Sequence, residues 1–225
     1  MTDVGRRLDS FAAVLWDMDG TLVDTEPYWM DSELALAKRY GGTWSREQAL
    51  QVVGFDLLDA ARLMRPQMGI DLAPEQIVEQ LLDDVVARVR REVPWRPGAR
   101  ELLASLRTAD VPCALVTMSY TRFADPIVAA LPAGTFDVVI TGDTVDRGKP
   151  HPEPYLAAAR GLGVPAVECL AIEDSTTGAA SASAAGCTVL VAPLHVSVPS
   201  GAGRVFVDSL EGLDAASVLG AVGVL

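Results

Sequence analysis

No apolar run in this chain of 225 residues approaches the roughly 20 residues that a helix needs to cross a bilayer. The opening stretch MTDVGRRLDS also lacks the long apolar segment of a secretory leader. Neither membrane insertion nor export is therefore expected. Basic charge is scarce as well. Eighteen Lys and Arg stand against 30 Asp and Glu, a formal net charge of −12, and without clustered cations there is nothing to neutralise a phosphate backbone, which excludes a nucleic-acid partner. Only three cysteines occur. Cys113, Cys169 and Cys187 are widely spaced, lie in or beside apolar runs, and form no CxxC or Cys/His cluster, so a disulfide framework and a zinc site are both excluded. Buried, reduced thiols in a cytoplasmic protein are expected. Internal repeats and low-complexity tracts are absent too.

What the chain does have is a core. Half of it is hydrophobic, enough for one large domain or a domain with a smaller companion, as a monomer or homodimer. Its acidity repels anions. A small phosphorylated ligand would need local compensation from a metal ion, a lysine or backbone amides.

The organising stretch is AAVLWDMDGTLVD, from Ala12 to Asp24. Ala13 to Trp16 is a short apolar run without helical spacing, which reads as a buried strand. Asp17 and Asp19 follow it. Side chains alternate along extended backbone, so at the carboxyl end of a strand these two acids point the same way. Two carboxylates in one small space are costly unless a cation lies between them or one carries a proton, and both arrangements serve phosphoryl transfer. Gly20 allows a tight turn and Thr21 offers a hydroxyl. Read alone, the same letters also describe a strand and a solvated DG turn.

From Thr25 to Pro94 the pattern is helical. Helices are predicted over Glu26 to Tyr40, from a Ser45/Gln48 capping box toward Val53 with an interruption at Gly54, over Asp56 to Met68, and over Pro74 to Val93 with Leu81, Val85, Val86 and Val89 on one stripe. This insert is expected to form a small second domain joined by linkers near Thr25 and Pro94 to Pro97. Beyond Gly98 helices and strands alternate: helix 99–109, strand 113–116, helix 120–131, strand 136–140, helix 152–162, strand 169–172, helix 177–185, strand 188–191 and a short strand 205–207. The fold class is α/β, a Rossmann-like parallel sheet with helices on both faces plus an inserted all-helical unit. Residues 1–24 and 95–225 make the core and 25–94 the insert. The Gly, Pro and Ser-rich loop from Pro193 to Gly203 is expected to be a mobile connection only.

Three more strand ends meet the same edge. At Val116-Thr117-Met118-Ser119, Thr117 and nearby backbone amides suit phosphoryl oxygens, although a helix cap is, read alone, the better account. In Gly148-Lys149-Pro150-His151-Pro152 a lysine is held between Gly and Pro, a fixed positive charge for a phosphate or else a surface residue. His151 and His195 are assigned no chemistry. Glu173 and Asp174, closing a strand ahead of the small-residue helix TGAASASAAG, suit magnesium alongside Asp17; Asp174 or Ser175 also suits an N-cap.

DMDGTLVDTEP resembles the first motif of the haloacid dehalogenase (HAD) superfamily. GKPHPEPY and IEDSTTGAASASAAG resemble the lysine and acidic motifs of its beta-phosphoglucomutase and sugar-phosphate phosphatase subgroup, and the helical insert matches that subgroup's cap domain. The resemblance implies Asp17 as nucleophile and Asp19 as acid/base. It implies magnesium on Asp17, the Asp19 backbone carbonyl and Asp174 with Glu173 close by, and Thr117, Met118 and Lys149 as the phosphate site. The expected activity is a magnesium-dependent phosphatase acting on a small phosphorylated metabolite, a sugar phosphate. Asp19 argues against dehalogenation. Trp29, and the loop Gly54-Phe55-Asp56, stand where the mutase branch has a histidine and an arginine, which argues against a phosphomutase. Tyr28, Trp29, Trp44, Phe55 and Asp56 are the candidates for selectivity. A receiver-like phospho-acceptor is shorter and has no such insert, and a non-catalytic scaffold would not need Asp17, Asp19, Lys149 and Asp174 intact.

Overall fold

The computed structural model describes residues 11–53 and 55–220. Gly54 and the N-terminal leader reading lie outside the described residues. Six strands, β1 (Ala13–Trp16), β2 (Cys113–Val116), β3 (Val138–Ile140), β4 (Cys169–Glu173), β5 (Thr188–Val191) and β6 (Arg204–Phe206), form one sheet in the order β3-β2-β1-β4-β5-β6. Every neighbouring pair is parallel. Alternation along the strands sends Val14, Trp16, Leu115 and Ile172 to one core and Ala13, Leu15, Val116 and Ala171 to the other, which is why these strands read as continuous apolar runs. Helices α7 (Glu153–Leu162) and α8 (Thr176–Ala185) cover the second core. Helices α5 (Ala99–Thr108), α6 (Thr121–Ala129) and α9 (Ala215–Gly220) belong to the first. The chain runs from β1 outward to β2 and β3 and then crosses back to β4 on the other side of β1, so the switch point lies at the carboxyl end of β1, where open α/β sheets bind ligands.

Between β1 and α5 run α1 (Glu26–Arg39), α2 (Arg46–Ala49), α3 (Leu57–Met68) and α4 (Pro74–Arg91). They pack on one another, with α4 central, through Ile77, Leu81, Val85, Val86 and Val89. The two linkers run side by side: Asp24 N–H donates to Pro94 O at 2.8 Å and Arg96 N–H to Leu22 O at 3.0 Å. Trp29 of α1 meets Phe123 of α6 edge-on, centroids 5.3 Å apart.

Differences from expectation are local. The Ser45 box forms, Gln48 N–H donating to Ser45 Oγ at 3.2 Å, yet α2 ends at Ala49 rather than near Val53. The fourth helix stops at Arg91. Glu92 is extended (φ −154°), and Pro94 disfavours helical geometry at Val93. Three short elements have no sequence signal: α9 and the 3-10 turns Gly142–Thr144 and Ala166–Glu168. No helix among the described residues is long and apolar enough to cross a membrane, and Cys113, Cys169 and Cys187 are buried and free.

Candidate active site

Asp17 follows β1 directly and its N–H donates to Ile172 O of β4 at 3.0 Å, which turns the carboxylate toward the end of β4. Asp17 Oδ1 accepts from Lys149 Nζ at 2.6 Å. Lys149 in turn donates to Glu173 Oε1 at 2.7 Å, and that oxygen also accepts from Tyr155 OH at 2.6 Å. Glu173 Oε2 accepts from the backbone N–H of Asp174 and Ser175 and from Ser175 Oγ. The glycine at 178 makes room for this carboxylate: a Cβ there would stand 1.9 Å from Glu173 Oε1. Glu173 therefore anchors the lysine, and the lysine is buried and aimed at Asp17. Burial works to lower the Lys149 pKa, and the Asp17 and Glu173 charges reverse this and hold the ammonium protonated.

Asp174 meets Asp17 across the switch point. Gly20, at φ +86°, lets the loop approach so closely that a Cβ would stand 2.1 Å from Asp174 Oδ2. Asp17 Oδ2 and Asp174 Oδ1 are both buried without a hydrogen-bond partner. Burial, then the neighbouring acids, push Asp17 up to about 7 and Asp174 up to about 9. Orphaned acidic oxygens with raised pKa values are what a divalent cation would relieve. Asp17, Glu173 and Asp174 each offer an oxygen within 4.8 Å of the others. The Asp19 carbonyl accepts no hydrogen bond among the described residues. The donor set, all oxygen and mostly acidic, fits magnesium.

Asp19 is held by three hydroxyls: Thr25 Oγ1 at 2.6 Å on Oδ1, and Ser119 Oγ at 2.7 Å and Thr117 Oγ1 at 3.3 Å on Oδ2. Burial raises its pKa against these hydrogen bonds. The backbone N–H groups of Asp19 and Met118 have no acceptor among the described residues, and Met118 Sδ accepts from Lys149 N–H at 3.1 Å. Asp17, Asp19, Thr117, Met118, Lys149 and Asp174 all line one cavity of about 350 Å³ between the sheet edge and α1, α3 and α4.

The selectivity candidates divide. Trp29 and Phe55 line the cavity. The other three do not: Tyr28 OH donates to Glu92 O at 3.3 Å at the linker, Asp56 caps α3 by accepting from Leu58 and Asp59 N–H, and Trp44 is 8% exposed, with Nε1 donating to Glu33 at 2.8 Å. Facing the cavity depends on how the helices pack on one another, which residue type does not reveal. The loop after β5 is more than a connection, since His195 and Val196 line the cavity and His195 Nε2 lies 2.8 Å from Asp24 Oδ1. Its place at the same sheet edge was the available signal. Arg96 was also missed; it is buried in the linker, and one nitrogen donates to Gly20 O and to Ala192 O. Thr25 and Ser119 could have been read from their places just past strand ends, whereas Glu33 and Tyr155 carried no sign.

Glu33 is 5% exposed, and burial, opposed by the Trp44 hydrogen bond, pushes it up to about 7 from 4.5. An acid with a raised folded pKa binds a proton in the folded state that the unfolded state has lost, so its stabilising contribution is complete below pH 4.5 and disappears as pH rises through 7. Glu33→Gln keeps an acceptor for Trp44 and does not titrate. The variant should match the parent near pH 4 and exceed it by up to about 3 kcal/mol above pH 7, at roughly 1.4 kcal/mol per pKa unit. Urea midpoints across pH measure this, and a difference independent of pH would contradict it.

A family model described as haloacid dehalogenase-like hydrolase matches residues 14–192. Protein CbbY of Rhodobacter capsulatus is 32% identical over 198 residues, 80% of this chain and 85% of that protein. Hexitol phosphatase A of Escherichia coli K12 is 33% identical over 196 residues, 82% and 84% of the two chains. The crystal structure of CbbY from Rhodobacter sphaeroides in complex with phosphate superposes with a TM-score of 0.80 at 27% identity, over 90% of this chain and 96% of that one.

Proposed function

The chain belongs to the haloacid dehalogenase-like hydrolases, a phosphatase by its relatives, and from that premise we propose that it is a magnesium-dependent enzyme that hydrolyses a small sugar phosphate through an aspartyl phosphate on Asp17. The observation that carries the reading is the convergence on one cavity of Asp17, Lys149, Asp174 and the hydroxyl-bound Asp19. Among the described residues, those from 25 to 94 act as the cap over a core made of 11–24 and 95–220. Reduced buried thiols fit a cytoplasmic setting.

In this mechanism Lys149 holds one Asp17 oxygen in place and, with the Asp19 and Met118 amides and Thr117, draws the phosphoryl oxygens against the sheet edge. Asp17 attacks phosphorus and the bond to the ester oxygen breaks. Asp19, protonated as burial favours, gives its proton to the departing alkoxide and then takes one from the water that opens the aspartyl phosphate. Thr25 and Ser119 orient both of its oxygens. Asp17, the Asp19 carbonyl and Asp174 would hold magnesium, which supplies charge neutralisation for the phosphoryl group. Trp29, packed on Phe123, and Phe55 bring no charge to the cavity, which supports a phosphatase over a mutase that must hold a second phosphate.

The test is hydrolysis of p-nitrophenyl phosphate by purified protein with magnesium and with chelator. Turnover that chelator abolishes is expected, and no turnover, or turnover indifferent to chelator, would overturn the reading. Asp19→Asn should cut kcat by about 10²–10⁴-fold, the usual worth of a general acid/base. A rate within threefold of the parent would remove Asp19 from that role.

A further inference from the structure

The wall of the cavity opposite the phosphoryl site has acids and no base. Among the described residues only Lys149 and His195 bring nitrogen cations or potential cations to the lining. Both are engaged, Lys149 with Asp17 and Glu173, and His195 with Asp24. No lysine or arginine of α1–α4 lines it. Helix α1 instead presents Glu26, Trp29 and Glu33, residues three and four apart and hence on one face. Apolar Val52, Phe55 and Met64 complete that wall. Glu33 Oε2 accepts from Trp44 Nε1, and Oε1 has no hydrogen-bond partner among the described residues. It is thus a buried side chain of the cavity lining, locked by one oxygen and open at the other.

We propose that Glu33 is a specificity-determining residue, selecting monophosphates whose leaving alcohol is an uncharged polyol or sugar and rejecting those that carry a second phosphate or a carboxylate. The inference rests on the phosphatase reading and deepens it. A carboxylate in a site shielded from water accepts strongly from a hydroxyl and repels an anion with no cation to offset it. With burial pushing the Glu33 pKa up to about 7, the ionised form that repels anions prevails above that pH, and the protonated form that prevails below it donates to a hydroxyl instead. Discrimination of this kind is built from repulsion of the wrong ligand as much as attraction of the right one. The cavity of about 350 Å³ sits at the low end of the roughly 300–1,000 Å³ typical of ligand sites, which suits a leaving group of a few carbons.

Polyol phosphates of three to six carbons, each paired with the acid in which the terminal hydroxymethyl is a carboxylate (glucitol 6-phosphate with 6-phosphogluconate, for example), test this directly. With parent enzyme and magnesium, kcat/KM should favour the neutral member of the best pair by at least tenfold. In Glu33→Gln that ratio should fall at least fivefold, with KM for the neutral ester raised. A parent ratio near one, a preference for the acid, or an unchanged ratio in Glu33→Gln would overturn the proposal; the last is what a residue serving only to brace Trp44 would give. p-Nitrophenyl phosphate separates the two levels of failure. If the parent hydrolyses it and the ratios fail, the specificity inference falls alone. If the parent hydrolyses neither it nor any polyol phosphate, the phosphatase reading falls and takes the inference with it.

Discussion

Asp17→Asn should lower phosphatase turnover by at least about 10⁴-fold, the scale seen when a covalent nucleophile is removed, while the protein keeps its fold. The asparagine is nearly isosteric, and its neutral amide is too weak a nucleophile to displace an alkoxide. It also removes the charge that Lys149 faces at 2.6 Å, but Glu173 still pairs with the lysine at 2.7 Å, so the ammonium is not left alone in the interior. Asp17 itself is held in an unfavourable state, with burial pushing its pKa up to about 7, and neutralising it relieves part of that cost. Circular dichroism and the urea midpoint should therefore stay close to the parent while activity vanishes. A variant retaining a tenth of the parent rate would exclude Asp17 as the nucleophile.

Lys149→Met should instead damage both stability and activity. The lysine side chain is 6% exposed, and the carboxylates it joins are 8% and 0% exposed. Removing one partner of a buried ion cluster leaves uncompensated charge, at about 3–5 kcal/mol. Glu173 is fully buried and fixed where it is by Tyr155 and three further donors, so it cannot swing out to water when the ammonium is lost. Adding Glu173→Gln to Lys149→Met should recover more than half of the lost stability and none of the activity, since the phosphoryl group still lacks its ammonium. Denaturant unfolding of the single and double variants measures the coupling. A single variant within 1 kcal/mol of the parent would show that the cluster does not hold this corner of the sheet.

The catalytic edge was legible for a topological reason. Ala13 to Trp16, Cys113 to Val116 and Cys169 to Ile172 read as strands because both faces of a parallel sheet are covered, and such strands are apolar throughout. The polar residues that end them then fall on one rim, so Asp17, Thr117 and Asp174 could be grouped without coordinates. Lys149 was legible for the restraint of its Gly-Lys-Pro setting. The insert was legible as helices and illegible as a surface. Trp44 and Trp29 are alike in sequence, but one donates to Glu33 inside the helical layer and the other faces the cavity. That difference is set by how α1 lies against α4. Glu33 looks like an ordinary polar residue of an amphipathic helix until Trp44, eleven residues on, covers it. Arg96 and Tyr155 act through backbone carbonyls and side chains far off in the chain, and no local pattern announces such contacts.

The central claim is that the phosphoryl group passes through Asp17, and trapping it there is the most direct test. Enzyme mixed with magnesium and substrate, quenched in acid within a turnover and digested, should yield the peptide spanning Asp17 with the mass of one added phosphoryl group, converted by borohydride to homoserine at that position. Asp17→Asn should give none. Rapid turnover with no adduct on that peptide, or with the adduct on another residue, would contradict the account.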